Sequence, residues 1–584
     1  MLKWPASCLS ASLLFIAACN TDKLLPHEEP VSSVAFRSFV DDYFNELFKF
    51  NPTSGTANGF HEYDDKLEDW SADAYHLRLQ TVRSQLARVQ ALHNEKIQLT
   101  ADEAIDASIL EGQLNSEIQD IQTLSTFRRN PINYVSLPGS SIDLLMKRNF
   151  ADPAQRVRSV IARLRQVDPL LRHMHDNMSD PPKEFTDLAI RIAKGSVGFF
   201  RDTVSAWAKQ SAGSDAALWN DFQSANQGVV TAFENASRYL EKDLKPQSKG
   251  LYAIGRKNFM NKLLYEEMVD IPYDRLLTIG EANLAKDYAG FVATAHTIDA
   301  SKTPAAVFKS LANDHPTEEQ LIPFAKETVE KIRKFIVDKK IIDIPSDVRP
   351  IITETPPYAR SGTFASMDTP GAYEKVAKEA FYYITPPEKD WTPQHKQEHL
   401  RLYNRPVMDL ISIHEAYPGH FVQFLYAKQF PTKTRKLIAC GTNAEGWAHY
   451  CEQMMLEQGF GNGDPKIRLA QLSEALLRDC RYVVGIKLHT QNMTVEEGAK
   501  LFVEKGFQEP ANAYEEARRG AYNPTYLYYT LGKLQIYKLR GDYERAKGSG
   551  FSLHDFHDNF VKQGGVPIKL MRQILLPGDR QPTL

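Results

Sequence analysis

The sequence predicts a mainly α protein, a large helical chain with a small β-sheet next to a pair of helices that carries a His-Glu-His motif. Three observations predict it. Over long stretches apolar residues recur at three- and four-residue spacing between charged positions, as on amphipathic helices. The region 343–386 is enriched instead in β-branched and aromatic residues between Pro and Gly clusters, the composition of strands. After it stand His414-Glu415-Ala416-Tyr417-Pro418-Gly419-His420 and then Asn443-Ala444-Glu445-Gly446-Trp447-Ala448-His449-Tyr450.

At the amino end, Lys3 precedes a mainly apolar run over 9–16, and Ile16-Ala17-Ala18-Cys19 matches the bacterial lipoprotein processing box. Residues 1–18 are therefore expected to be a cleaved leader, with Cys19 as the lipidated first residue. The run is well short of the ~20 apolar residues that a membrane-spanning helix needs, and no other uninterrupted apolar run is long enough. Asn20 is not the aspartate that retains lipoproteins in the inner membrane. The expected location is thus the cell envelope, lipid-anchored at the outer membrane and facing the periplasm of a Gram-negative cell. Residues 19–34, polar and proline-containing, read as a tether.

Amphipathic helices are expected at 36–50, 72–94, 153–178, 185–210 and 216–244, with Val82, Leu86 and Val89 on a core face. They belong to an N-terminal helical region, 35–342, ahead of a catalytic region, 343–584. The sheet is expected from Val348-x-Pro350-Ile351-Ile352 and Phe381-Tyr382-Tyr383-Ile384. Thr363-Phe364-Ala365-Ser366, after Ser361-Gly362, is a candidate edge strand on which an extended peptide can lie; an ordinary small strand is the plainer reading. Beyond Gly459 the pattern is helical again.

With 70 basic and 73 acidic residues the charge is nearly balanced, which gives no argument for nucleic acid or an acidic partner. Once the leader, which contains Cys8, is removed, Cys440, Cys451 and Cys480 besides Cys19 are too few for a disulfide scaffold in an oxidising compartment. They read as small buried hydrophobes.

A catalytic zinc site takes three ligands from His, Glu or Asp and leaves one position for water, while a nearby carboxylate removes that water's proton. His414 and His420 read as ligands, Glu415 as the base and Glu445 as the third ligand. The spacing differs from H-E-x-x-H. Six residues turn a regular helix by about 600°, leaving the second histidine about 120° away from the first. Pro418-Gly419 breaks that regularity, so a bulged or kinked turn is expected to swing His420 back. The alternative is that Pro-Gly ends one helix, His420 caps the next and Glu415 is solvated. The apolar flanks 410–413 and 421–426 place the polar group at a depth where unpaired charge is costly. Glu445 and Glu452, seven residues apart, lie on nearly one helix face. Gly446 and Ala448 permit close approach beside Glu445, which leaves Glu452 to hold a ligand histidine in its tautomer. His449 is the competing ligand. For the oxyanion of acyl transfer, Tyr522, Tyr526, Tyr528 and Tyr529 are candidate donors. Arg518 or Arg519 can clamp a substrate carboxylate or simply end a solvated helix.

His414-Glu415-x-x-Pro418-Gly419-His420 together with Glu445-Gly446-Trp447-Ala448-x-Tyr450-x-Glu452 resembles the bacterial family catalogued as domain of unknown function 885, related to the Glu-ligand zinc peptidases called gluzincins. Pro52, Gly59, His61, Tyr63 and Asp64 resemble its opening signature, and Tyr529-x-x-Gly532 its closing one, so the likeness covers nearly the whole mature chain. The resemblance implies a largely helical, metallopeptidase-like protein with a gluzincin-like pair of metal-site helices. It implies His414, His420 and Glu445 as zinc ligands and Glu415 as base, and it favours Tyr529 among the tyrosines. In one respect the chain departs: members often carry an Asp shortly before the counterpart of His489, where this chain has Val483, Val484 and Gly485. The expected function is a Zn2+-dependent peptidase with a peptide substrate. The alternatives are a catalytically idle peptide-binding or chaperone-like lipoprotein, and a metal-dependent amidase on a non-peptide or peptidoglycan substrate.

Overall fold

The apolar periodicity of the chain is realised as helix over most of its length, with one three-stranded sheet among the described residues. The computed structural model describes residues 31–94, 99–356, 360 and 364–584. The expected leader, Cys19 and most of the tether lie outside the described residues, as do Ser361, Gly362 and Thr363. The first helix begins at Val31, within the stretch read as tether.

The main helices are α1 (Val31–Phe50), α2 (Ala72–Asn94), α3 (Ala101–Gln119), α4 (Pro131–Lys147), α5 (Pro153–Asn177), α6 (Lys183–Gly198), α7 (Ala216–Tyr239), α8 (Arg256–Glu267), α9 (Tyr273–Ile298) and α10 (Leu321–Lys339). The segment expected over 185–210 is α6, a π-helical turn at Phe199–Val204 and a further helix Ser205–Ala212. That over 216–244 is α7 with a π-helical turn Leu240–Leu244. The strands β1 (Ile351–Glu354), β2 (Ala365–Asp368) and β3 (Phe381–Ile384) follow. The chain continues through α11 (Arg405–Glu415), α12 (His420–Tyr426), α13 (Gly441–Glu457), α14 (Pro465–Thr490), α15 (Pro510–Tyr522) and α16 (Tyr528–Lys547).

Helices α4 to α7 enclose a core containing Tyr134, Val157, Leu164, Phe200 and Phe233. Helices α1 to α3 enclose Phe44, Val82, Val89 and Leu110, with Leu86 packed against them. The largest core joins Ile332 and Ile336 of α10 to Ile352, Tyr382 and Ile384 of the sheet, Met408 and Ile413 of α11, Trp447 of α13 and Ile536 of α16. Helices on both sides of residue 343 thus share one core. Burial of one such side chain contributes about 1.5–3 kcal/mol, so a handful of them suffices to seat the sheet on α11.

The sheet is mixed, in the order β1-β3-β2, with β1 parallel and β2 antiparallel to β3. Ile351 pairs with Phe381 and Ala365 with Ile384. β2, from the segment expected at an edge, is an outer strand. The Tyr382 hydroxyl lies 3.2 Å from Ser412 Oγ, so the sheet abuts the turn of α11 that carries His414.

The amino-terminal signature residues dock on the segment between β2 and β3. Gly59 has φ +94°, and a Cβ there would lie 2.3 Å from the Glu374 amide nitrogen; only glycine meets both conditions without strain. His61 bridges Asp64 (Nδ1 to Oδ2, 3.0 Å) and Glu374 (Nε2 to Oε2, 2.9 Å). Cys440, Cys451 and Cys480 are buried free thiols.

Candidate metal centre

α11 starts on a local signal. The Asn404 side chain accepts from the Val407 amide at 3.2 Å, and Pro406 stands in the first turn, where its missing N–H costs nothing. Leu410 and Ile413 are fully buried, which places His414 at the inner end of the helix. The helix stops at Glu415. The kinked turn expected at Pro418-Gly419 takes the form of a break between two helices, and His420 is the first residue of α12. The Gly419 amide turns back to the Ile413 carbonyl (3.1 Å), and Gly419 has φ −69° and ψ −134°, outside the helical region. A Cβ on Gly419 would lie 1.8 Å from the His414 carbonyl oxygen, so no larger residue fits. The Tyr417-Pro418 peptide is cis. The buried Trp447 indole donates to the Pro418 carbonyl at 2.9 Å and pins the turn to α13. The two imidazoles then meet at right angles, ring centroids 4.9 Å apart.

α13 is positioned by contacts distant in sequence. Its amino end lacks a capping side chain of its own. The buried Glu267 carboxylate, from the end of α8, accepts from the amides of Gly441 (2.9 Å) and Thr442 (2.7 Å) and from the Thr442 hydroxyl (2.7 Å). These satisfy donors that a helix start leaves open and set a negative charge at its positive end. Farther along, α13 and α16 touch backbone to backbone. A Cβ on Gly446 would lie 2.6 Å from Gly532 Cα, and one on Gly532 would lie 2.0 Å from the Thr442 carbonyl oxygen. The closing Tyr529-x-x-Gly532 therefore has a packing reason, which is the approach that puts Tyr529 beside Glu445.

Ligand atoms of His414, His420 and Glu445 lie within 4.8 Å of one another. Glu445 Oε2 is 3.3 Å from His414 Nε2 and 3.2 Å from His420 Nε2. Ion bonds of 2.0–2.2 Å in a tetrahedron give ligand-to-ligand edges of about 3.3–3.6 Å, whereas a charge-assisted N–H···O contact is commonest at about 2.7–2.9 Å. The spacing is compatible with three ligands around a shared ion, as it is with the hydrogen bond and ion pairs that join Glu445 to the two imidazoles. Two imidazoles and a carboxylate suit zinc chemically. Glu445, with its side chain 26% exposed, opens this buried group to solvent.

Behind the ligands Glu452 is wholly buried. Its Oε1 lies 2.7 Å from His414 Nδ1 and 3.5 Å from Arg478 Nη2, and its Oε2 lies 3.1 Å from His449 Nδ1. His449 thus turns toward Glu452, and its Nε2 is buried without a partner among the described residues. Burial works against charge on His414, but Glu445 and Glu452 raise its pKa to about 9. Burial likewise opposes charge on Glu452, yet Arg478 and His449 hold it well below the usual carboxylate range. Burial and the Lys533 ammonium drop His449 to about 4.

Glu415 is half-buried at the end of α11, and among the described residues no hydrogen bond or ion pair engages its carboxylate. The Tyr529 ring stacks against His414 at 6.3 Å between centroids, and Arg519 Nη2 donates to its hydroxyl at 3.4 Å. Burial, then the charge of Glu445, raise the Tyr529 pKa far above its ordinary value. Two sequence candidates are elsewhere. His489 Nε2 donates to the Gly520 carbonyl at 2.8 Å beside the Tyr252 ring, and Arg518 turns to Glu515 at 3.2 Å. Glu267, Arg478 and Arg481 were not anticipated. The one available signal was the density of charge in Arg478-Asp479-Cys480-Arg481 within an otherwise apolar stretch. A second group, Asp343, His554 and Asp558, also offers ligand atoms, but Asp558 is taken by Lys562 and by the Asp343 amide.

With the signatures accounted for by packing and by the three converging ligand atoms, the relationship to other proteins is direct. A bacterial family of unknown function, DUF885, matches residues 52–575. The chain belongs to the DUF885 family. Its fold is shared by a candidate lipoprotein of unknown function from Shewanella oneidensis, 25% identical, with a TM-score of 0.76 over 93% of this chain and 99% of that one. It is shared also by a candidate lipoprotein from Colwellia psychrerythraea, 17% identical, with a TM-score of 0.79 over 93% of this chain and 98% of that one. No curated protein matches the chain. The DUF885 match begins at Pro52, the first residue of the opening signature, and takes in every residue of the candidate centre.

Proposed function

We propose that this DUF885 protein is a zinc-dependent peptidase of the cell envelope, gluzincin-like, in which His414, His420 and Glu445 hold the ion and Glu415 is the general base. The reading is carried by the convergence of the three ligand atoms next to a carboxylate that no described group engages. A zinc ion held there supplies Lewis-acid polarisation of a carbonyl and acidifies a water. Glu415 takes the proton of the attacking water and passes it to the leaving amine. The Tyr529 hydroxyl, protonated throughout the neutral range, donates to the oxyanion that develops on the carbonyl. Glu452 accepts the Nδ1 proton of His414, which leaves the Nε2 lone pair facing the ligand group. The outer strand β2, on the sheet that abuts α11, offers an edge along which an extended substrate can pair.

The processing box at Cys19 and the lipoprotein descriptions of the Shewanella and Colwellia proteins support a lipid anchor, with the outer membrane of a Gram-negative cell, periplasmic side, as its site. A base beside the ligands favours turnover over idle peptide binding, since binding needs no proton acceptor. The test is a mass-spectrometric screen of a peptide library with zinc-loaded and chelator-stripped protein. Zinc-dependent cleavage that Glu415→Gln abolishes supports the proposal. Cleavage of peptidoglycan amides alone would replace it with the amidase reading, and specific binding without any cleavage would replace it with the idle-binder reading.

A further inference from the structure

Two guanidinium groups lie against Tyr529, and among the described residues only one of them forms an ion pair with a carboxylate. Arg481 Nε and Nη2 each donate to Glu516 at 2.8 Å within the core, and the Tyr526 hydroxyl donates to the same carboxylate. Both Glu516 oxygens are thereby occupied. Arg519 forms no ion pair among the described residues; its hydrogen bond is the long one, 3.4 Å, to the Tyr529 hydroxyl, and its guanidinium otherwise rests on the Tyr526 ring, 5.7 Å from the centroid. Arg481, Arg519 and Glu516 together carry two positive charges and one negative. Burial and the Arg481 charge work against the Arg519 guanidinium, and Tyr529, Tyr526 and Glu516 outweigh them, yet no carboxylate of the described residues sits on its planar fork. Arg518, the neighbouring alternative, already has Glu515.

Arg519 is one tyrosine away from the ligand group, because the Tyr529 ring that receives its hydrogen bond stacks on His414. Tyr528 lies beside Tyr529, ring centroids 5.0 Å apart, and Asn523 Nδ2 donates to its hydroxyl at 3.1 Å. A guanidinium with a free planar fork recognises carboxylates in bidentate fashion.

We propose that Arg519 is a specificity-determining residue that binds a carboxylate of the substrate. On the peptidase reading, on which the nature of the substrate rests, the centre then acts next to a free carboxyl terminus or an acidic side chain rather than in the middle of a neutral chain. Three dansyl-labelled peptides of one sequence separate the sources: a free acid, its carboxyl-terminal amide, and an amide carrying one Glu. Their binding to zinc-loaded Glu415→Gln protein is read by fluorescence anisotropy. The free acid, or the Glu-bearing amide if the side chain is the source, binds about 10- to 100-fold tighter than the neutral amide. Arg519→Ala erases that preference and Arg519→Lys, which keeps charge but loses the fork, retains part of it, with zinc content unchanged in both. Equal affinity for the three peptides, binding of none, or a preference that survives in Arg519→Ala overturns the inference. If zinc-loaded wild type binds with this preference and hydrolyses nothing, the role of Arg519 stands and the peptidase reading falls.

Discussion

Glu452 Oε1 lies 2.7 Å from His414 Nδ1, on the side of the ring opposite the nitrogen that meets Glu445. That contact fixes which imidazole nitrogen is available to a metal, and Arg478 and His449 hold the carboxylate in place. Glu452→Gln is therefore expected to weaken zinc binding about 10- to 100-fold, measured by competition with a calibrated chelator. It should also lower the melting temperature, because Arg478 loses a buried charge partner. Unaltered zinc affinity would leave Glu452 a purely structural residue.

Base and ligand separate by substitution. Glu415→Gln keeps size and hydrogen bonding but accepts no proton at neutral pH. It should retain zinc while turnover falls about 100- to 10,000-fold, whereas Glu445→Gln should lose zinc first. Metal analysis alongside an activity assay checks both, and the opposite pattern would exchange the two roles.

The glycine contact between α13 and α16 has no slack. A methyl group on Gly532 meets the Thr442 carbonyl oxygen, so Gly532→Ala must push the helices apart, at about 1–3 kcal/mol. Tyr529 moves with α16. The expected result is a lower melting temperature with a larger relative loss of turnover than of zinc, and a fully active, equally stable variant would contradict the packing account.

His61 gives the amino-terminal docking a pH dependence. The hydrogen bond to Asp64 raises its pKa most; burial opposes this, and the charges of Asp64 and Glu374 add to the rise. A folded value above the unfolded 6.5 means that the stabilisation is fully present below pH 6.5. It is lost as pH climbs through the folded value. Melting temperatures of wild type and His61→Gln should thus converge on going from pH 6 toward alkaline conditions. A constant gap across that range would show that the His61 charge contributes nothing.

Legibility in the sequence followed the range of the interactions. The helices at 72–94 and 153–178 and the strand around Phe381 were readable because periodicity and composition are local. The same holds for the His-Glu-His segment. Its geometry was only partly readable: Pro418-Gly419 marked a bulged or kinked turn, but not that one helix ends at Glu415 and another begins at His420. The break depends on how closely Gly419 approaches the His414 carbonyl and on the Trp447 indole, 29 residues from Pro418. Glu267 capping α13 from 175 residues away, and Glu374 meeting His61 across 313, leave no local trace at all. Choosing Arg519 over Arg518 likewise required knowing that Glu515 and Glu516 were already taken.

The central claim is that His414, His420 and Glu445 bind one ion together. The most direct measurement is the zinc content of purified wild type and His420→Ala by plasma mass spectrometry, with far-ultraviolet circular dichroism as the control for folding. The account predicts about one zinc per wild-type chain and almost none in His420→Ala, with the helical spectrum unchanged. Full zinc occupancy in a folded His420→Ala protein would contradict it.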